Sequence, residues 1–258
     1  MRSIFIIISC LFAANLVAQP FAPQRSSSLA ADPSRPPDAE FNFARLAYGT
    51  SMSGYSNRRG SSWNVDWPEA EYHLNEGIRR LTRVESSDAG RIVRLTDEAL
   101  FDFPFLYAVE VSNWVFTNEE ALILREYLER GGFLVTDDFH GSYEWQRFYN
   151  EFRKVFPDRP LVEIEETDEI FNVLYSVDKS IQIAGIRSIY SGQTWEGDGY
   201  TPQWHGIYDD EGRLMVAINF NMDMGDAWEH ADDPRYPEPM TTLAYRFGVN
   251  YLIYAMTH

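Results

Sequence analysis

The chain has 258 residues, 45% of them hydrophobic, and its 39 acidic and 22 basic residues give a net charge of −17 at pH 7. This composition is typical of a globular protein, because it is too apolar for a disordered chain and too polar for a bundle of membrane helices. The length favours one sizeable domain. The negative charge argues against nucleic acid or an anionic membrane as a partner, since both would repel the chain.

The first residues have the pattern of an export signal. A positively charged start precedes an apolar run from Ile4 to Val17, and Ala18 is a small residue suited to cleavage. The run is shorter than the roughly 18 residues that span a bilayer, and an uncleaved N-terminal anchor is the alternative. We predict a signal peptide over 1–18, a disordered Pro- and Ser-rich linker over 19–40, and a single α/β domain over 41–258. The protein is therefore expected to be periplasmic or secreted.

Strands and helices alternate through the first part of the predicted domain. Two helix starts carry specific signals: Asp66 with Pro68 and Glu69, and the capping box of Thr117 with Glu120. The predicted strands cover 41–48, 91–95, 105–111, 133–137 and 161–164, and the predicted helices cover 66–82, 117–130 and 143–156. This alternation predicts a doubly wound α/β sheet.

The pattern changes beyond this region. Strand-like runs over 204–208 and 213–219 flank the turn sequence Asp209-Asp210-Glu211-Gly212, which predicts a hairpin. Apolar residues at helical spacing over 240–255 then predict a C-terminal helix.

Acidic residues follow the predicted strand 133–137, where an open α/β sheet binds its ligands. Asp137 and Asp138, with His140, are the catalytic candidates. Adjacent carboxylates point in different directions, so one can face a cleft while the other caps the next helix. Such a pair can hold a hard cation or work as general acid and base. The alternative is that Asp138 bonds to loop amides and Asp137 is solvated.

A second acidic tract follows the predicted hairpin. It contains Asp223 and Asp226 and resembles a calcium loop only loosely. Together with Asp138, these residues are possible ligands of a divalent cation, Ca²⁺ or Mg²⁺. A solvated acidic loop is the alternative.

Two loops have compositions that suit a ligand. The loop 49–65 carries Arg58 and Arg59, which with backbone amides can bind an anion. Aromatic residues in the glycine-rich stretch 188–205 suit a sugar or an aromatic ligand, or equally a lid that packs onto the domain. The candidate ligand-binding residues are Arg45, Tyr48, Arg58, Arg59, Trp114, Trp195, Trp204 and Trp228.

Several chemistries have no sequence support. The only cysteine, Cys10, lies in the predicted signal, so the mature chain would have no thiol for a disulfide, a metal site or a nucleophile. The chain also lacks the HExxH zinc pattern, a nucleophile elbow and a dinucleotide fingerprint.

An ordered series of short motifs runs through the predicted domain. It comprises Phe43-Ala44-Arg45-Leu46, Trp63 with Asp66 and Pro68, Phe103-Pro104-Phe105-Leu106-Tyr107, Gly131-Gly132-Phe133-Leu134 before Asp137-Asp138, Phe156-Pro157-Asp158-Arg159-Pro160-Leu161, Gly225-Asp226-Ala227-Trp228-Glu229 and Gly248-Val249-Asn250. In this series the chain resembles the bacterial family named domain of unknown function 4159, over nearly all of residues 41–257. That family is similar in fold to the class I glutamine amidotransferase-like superfamily. The resemblance implies a mostly parallel, flavodoxin-like sheet.

The resemblance implies no activity that can be transferred. Amidotransferases need a cysteine nucleophile at a strand-to-helix elbow, whereas the comparable strand end here carries Asp137-Asp138. Glutaminase activity is therefore not expected.

Two functions are compatible with the sequence. The first is an exported, non-catalytic binding or scaffold module of the bacterial cell envelope, whose partner is an envelope protein, a small molecule or a glycan. The alternative is a carboxylate- or metal-dependent hydrolase that acts on an envelope glycan or a related polymer. The hydrolase requires Asp138 and Asp223 to meet on one side of the sheet.

Overall fold

The computed structural model of the chain describes residues 38–50 and 62–258. The predicted signal peptide, most of the predicted linker, and both Arg58 and Arg59 lie outside these residues. The strands are β1 (Ala44–Ala47), β2 (Arg91–Arg94), β3 (Phe105–Val109), β4 (Phe133–Asp137), β5 (Val162–Glu163), β6 (Gln203–Tyr208) and β7 (Leu214–Phe220). The α-helices are α1 (Glu69–Leu81), α2 (Asn118–Glu129), α3 (Gly141–Phe152), α4 (Ile186–Ser191), α5 (Met224–Glu229) and α6 (Glu238–Thr257).

All seven strands form one sheet in the order β2-β1-β3-β4-β7-β6-β5. The strands from β2 to β7 in this order are parallel, whereas β6 is antiparallel to β7 and β5 is antiparallel to β6. The parallel part has the strand order of a flavodoxin-like sheet. The predicted α/β class and mostly parallel, flavodoxin-like sheet are therefore confirmed. The predicted hairpin is β6–β7, and its strand β7 joins the main sheet beside β4.

Helices cover both faces of the sheet, because side chains alternate between faces along each strand. On one face, α1, α5 and α6 pack on residues such as Phe43, Tyr107 and Val135. On the other face, α2 and α3 pack on residues such as Leu106 and Leu134. The central strands are buried on both faces, which explains why their sequences are continuous apolar runs. Among the described residues, no helix is both long and apolar enough to cross a membrane.

The local helix signals are realised in different ways. At the start of α2, the Thr117 side chain accepts a hydrogen bond from the Glu120 N–H at 3.1 Å, and the Glu120 carboxylate accepts one from the Thr117 N–H at 2.8 Å. This is the predicted capping box. By contrast, α1 begins at Glu69 without a side-chain cap, and the Asp66 carbonyl, not its carboxylate, accepts a hydrogen bond from the Ala70 N–H at 3.0 Å. The side chain of Asp66 is therefore available for another role.

Candidate functional site

The carboxyl ends of the parallel strands share an unusual backbone conformation. Among the described residues, four that are not glycine have a positive φ: Asp66 (63°), Glu110 (51°), Asp138 (53°) and Asn221 (62°). Glu110, Asp138 and Asn221 immediately follow β3, β4 and β7, and Asp66 precedes α1. A side chain in this region strains the backbone, and such strain is typical of functional sites. Backbone bonds join these strand ends, including Glu110 N–H to Asp138 O at 3.1 Å.

Asp137 is buried at the end of β4 and fixes the start of α5. Its Oδ2 accepts hydrogen bonds from the Tyr107 hydroxyl (2.7 Å), the Met224 N–H (2.7 Å) and the Gly225 N–H (3.2 Å). Burial raises the pKa of Asp137 to about 6, and these bonds to the ionised carboxylate limit the rise. This catalytic candidate therefore orients α5 from within the core.

Asp138 and His140, the other two catalytic candidates, lie together after β4. His140 Nε2 is 3.4 Å from Asp138 Oδ1, and the His140 N–H donates to Glu144 Oε2 at 2.6 Å. Within the described part of the chain, His140 Nδ1 has no hydrogen-bond partner. Burial raises the pKa of Asp138 well above its usual range, and the negative charges of Glu110 and Asp137 add to the rise.

Asp66, Asp223 and Asp226 bring three carboxylates together at the same edge. One oxygen atom of each lies within 4.8 Å of the other two. Asp223 Oδ1 accepts from the Asp226 N–H at 2.8 Å, and Asp226 Oδ2 accepts from the Ile186 N–H at 2.7 Å. Burial raises the pKa of both Asp66 and Asp223 well above the usual range, and the charge of Asp138 is the next cause for each. The Asp138 N–H donates to the Met222 carbonyl at 3.0 Å, so Asp138 and Asp223 lie at the same edge of the sheet, which the hydrolase hypothesis requires.

A glycine brings a further carboxylate, that of Glu196, to this group. A Cβ atom placed on Gly185 would lie 2.7 Å from Asp223 Oδ2 and 3.2 Å from both Asp226 Oδ2 and Glu196 Oε1. These three carboxylate oxygens therefore lie on the side of Gly185 where a Cβ atom would stand. Ser188 holds Glu196 in place, because its hydroxyl donates to Glu196 Oε1 at 3.1 Å.

Glu110 extends this group of carboxylates towards His140. Glu110 Oε2 accepts a hydrogen bond from Asn113 Nδ2 at 2.9 Å. Burial raises the pKa of Glu110 to about 7, the charge of Glu144 adds to the rise, and His140 opposes it. We refer to the following residues as the acidic cluster: Asp66, Glu110, Asp138, Glu196, Asp223 and Asp226.

Sequence reasoning did not identify Asp66, Glu110 or Glu196 as site residues. Asp66 has the local pattern of a helix cap, and its approach to α5 depends on the distant Gly225, where a Cβ atom would collide with Asp66 Oδ2. Glu110 carries a usable signal, because it ends a buried apolar strand. Glu196 lies in an irregular segment, and no sequence pattern marks it as a site residue.

A second group shares Asp226. One atom each of Asp226, Glu229 and His230 lie within 4.8 Å of one another. His230 Nε2 is 3.4 Å from Glu229 Oε2 and 3.6 Å from Asp226 Oδ1. These are local contacts between residues within and just beyond α5.

Five of the eight predicted ligand-binding residues, Arg45, Tyr48, Trp114, Trp204 and Trp228, are buried. Arg45 forms an ion pair with Glu71 in which both side chains are 0% exposed. The Tyr48 hydroxyl donates to the Val109 carbonyl at 2.7 Å. The other three pack against aromatic rings: Trp114 on Phe148 and Phe152, Trp204 on Phe247, and Trp228 on Tyr107.

Trp195 is the predicted aromatic residue that lies beside open space. It lines a shallow cavity of about 400 Å³ and contacts Tyr200, with 5.7 Å between ring centroids. The cavity is lined by Arg187, Ser188, Ser191, Gln193, Trp195, Glu196 and Gly197. Glu196 therefore belongs both to this cavity and to the acidic cluster.

The sequence model of one protein family, described as a domain of unknown function (DUF4159), matches residues 42–256. This range includes all of the strands and the acidic cluster. No curated protein matches the chain.

Proposed function

We propose a function for this chain, which belongs to the DUF4159 family: it is an exported, non-catalytic module of the bacterial cell envelope that binds a neutral, hydroxyl-rich ligand such as a glycan. The observation that carries the proposal is the meeting of the cavity and the acidic cluster at Glu196. Export rests on the sequence of residues 1–18.

The chemistry of the cavity favours hydroxyl groups over anions. Carboxylates accept hydrogen bonds from sugar hydroxyls and repel phosphates and other carboxylates. Arg187, Ser188 and Gln193 add side chains that can donate hydrogen bonds at the cavity wall. Trp195 supplies the apolar ring face on which a sugar ring can stack.

Isothermal titration of the purified protein with neutral oligosaccharides tests the proposal. Suitable probes are the hexamers of glucose and of N-acetylglucosamine, titrated in the presence of a chelator. We expect saturable binding of at least one probe, weakened roughly tenfold or more in Trp195→Ala and Glu196→Gln, because each removes a contact worth about 1.5 kcal/mol or more. The matched control is Glu211→Gln in the exposed β6–β7 turn. No binding of any probe, or equal binding by all variants, would contradict the proposal.

The second candidate is the hydrolase, which Glu110 favours. A carboxylate whose pKa lies near 7 can accept or release a proton at neutral pH. The same oligosaccharides, assayed for new reducing ends, distinguish the two functions. Release that Glu110→Gln abolishes, while the variant still binds the probe, would support the hydrolase. Binding without release would support the non-catalytic module.

A further inference from the structure

Within the acidic cluster, three aspartates from two separate parts of the chain come close together. Asp66 comes from the segment between β1 and α1, Asp223 directly precedes α5, and Asp226 lies in its first turn. One oxygen atom of each lies within 4.8 Å of the others. Three carboxylates this close together and shielded from water repel one another strongly when they are ionised.

The burial of Asp66 and its unpaired oxygen are a second observation, independent of the grouping of acids. Its side chain is 8% exposed, and its Oδ2 accepts no hydrogen bond from any residue that the structure describes. Buried polar atoms are almost always paired, so an unpaired carboxylate oxygen indicates a missing partner. The oxygen lies against the Cα of Gly225, beside the Asp223–Asp226 pair.

Among the described residues, no arginine or lysine contacts these three acids and one histidine does: His230 Nε2 lies 3.6 Å from Asp226 Oδ1. Arg45 acts on Asp66 electrostatically, but its guanidinium is engaged by Glu71, with Nε 2.6 Å from Glu71 Oε1. A cation bound at this point would offset the repulsion between the carboxylates and would pair the Asp66 oxygen, which no described residue does.

We propose that Asp66, Asp223 and Asp226 bind a hard divalent cation of the calcium type. Their ligand atoms are all oxygens, which Ca²⁺ and Mg²⁺ prefer and which argue against a soft metal. Glu196 Oε1 faces the same side of Gly185 as the Asp223 and Asp226 oxygens, each within 3.2 Å of the position that a Cβ atom would take there. Three carboxylates in irregular geometry suit Ca²⁺, with its six to eight flexible ligands, better than Mg²⁺.

The set differs from the one that the sequence predicts. Asp223 and Asp226 are retained, whereas Asp66 occupies the place expected for Asp138, which acts on the group as a neighbouring charge. The site deepens the proposed function, because Glu196 connects the cation to the cavity. Its test needs no glycan, so either proposal can fail while the other stands.

The test measures calcium binding and thermal stability on the same protein. Wild type, Asp66→Asn and Asp223→Asn are freed of metal with a chelator, then titrated with Ca²⁺, Mg²⁺ or Zn²⁺ by calorimetry and thermal denaturation. Asp88→Asn is the matched control, because it removes the same charge from a side chain that is 98% exposed. At a hundredfold excess over its Kd, a cation specific to the folded state raises the Tm by roughly 5–10 °C.

We expect the order of the Tm values of wild type and the cluster variants to change when Ca²⁺ is added. Without metal, Asp66→Asn and Asp223→Asn melt at or above the wild-type Tm, since each substitution removes repulsion. With Ca²⁺, wild type and Asp88→Asn gain Tm and bind one ion, while the two cluster variants gain little and bind at least about tenfold more weakly. The proposal is overturned if no Ca²⁺ or Mg²⁺ binds to wild type, if the cluster variants bind as tightly as wild type, or if Zn²⁺ alone binds.

Discussion

The raised pKa of Glu110 leads to a prediction about stability and pH. Folding raises this pKa from 4.5 to about 7, chiefly through burial. Both states bind the proton below about pH 4.5. As pH rises towards 7, the unfolded chain ionises Glu110 first, so the folded state progressively loses stability. The loss of stability is complete once the pH exceeds the pKa that Glu110 has in the folded state.

The size of this loss follows from the shift. A shift from 4.5 to about 7 corresponds to about 3 kcal/mol at 1.36 kcal/mol per unit, an upper limit because Glu110 is partly exposed. Glu110→Gln removes the charge and retains an oxygen that can accept the Asn113 bond. We expect the variant to be about 1–3 kcal/mol more stable than wild type at pH 8 and within about 0.5 kcal/mol of it at pH 4.5.

Urea denaturation with a chelator, at pH 4.5, 6, 7 and 8, measures this difference. The control is Glu85→Gln, which neutralises an exposed carboxylate remote from the acidic cluster. A Glu110→Gln variant that is less stable than wild type at pH 8, or whose advantage does not change with pH, would refute the assignment of Glu110 as a carboxylate destabilised by burial.

Three further changes test other parts of the structure. Glu71→Ala should cost about 3–5 kcal/mol in urea denaturation, because it leaves the fully buried Arg45 unpaired, and the double change Arg45→Met with Glu71→Leu should recover most of it. Thr117→Ala removes the capping box of α2 and should cost about 1 kcal/mol in the same assay. Gly185→Ala places a methyl group 2.7 Å from Asp223 Oδ2 and should weaken Ca²⁺ binding in calorimetry, with the far-ultraviolet circular dichroism unchanged; full affinity would contradict the arrangement at Gly185.

Features set by neighbouring residues were accessible from the sequence. The capping box needs only Thr117 and Glu120, three residues apart, and the alternation of apolar strands and amphipathic helices predicts the layered sheet. The ends of strands and helices were harder to predict from the sequence. The strand β3 stops at Val109, two residues before the predicted end, because Glu110 adopts a left-handed conformation that no local pattern requires.

The acidic cluster depends on contacts between distant segments. Asp66 reaches α5 across about 160 residues of sequence, and the local motif around it is that of a cap. The aromatic residues show the same limitation. A tryptophan near a strand end fits a ligand site or a core, and only the packing of Trp114 on Phe148 and of Trp228 on Tyr107 places them in the core.

Because its backbone is strained at two aspartates, this protein does not have the most stable sequence for its fold. Asp66 and Asp138 each combine a positive φ with a carboxylate that burial penalises. Glycine at either position would relieve about 1 kcal/mol of backbone strain and remove the repulsion as well. Folding alone would therefore favour the loss of both aspartates, and a screen for thermostability without ligand should select their replacement. The same screen in the presence of Ca²⁺ should retain Asp66, which the proposed cation site needs.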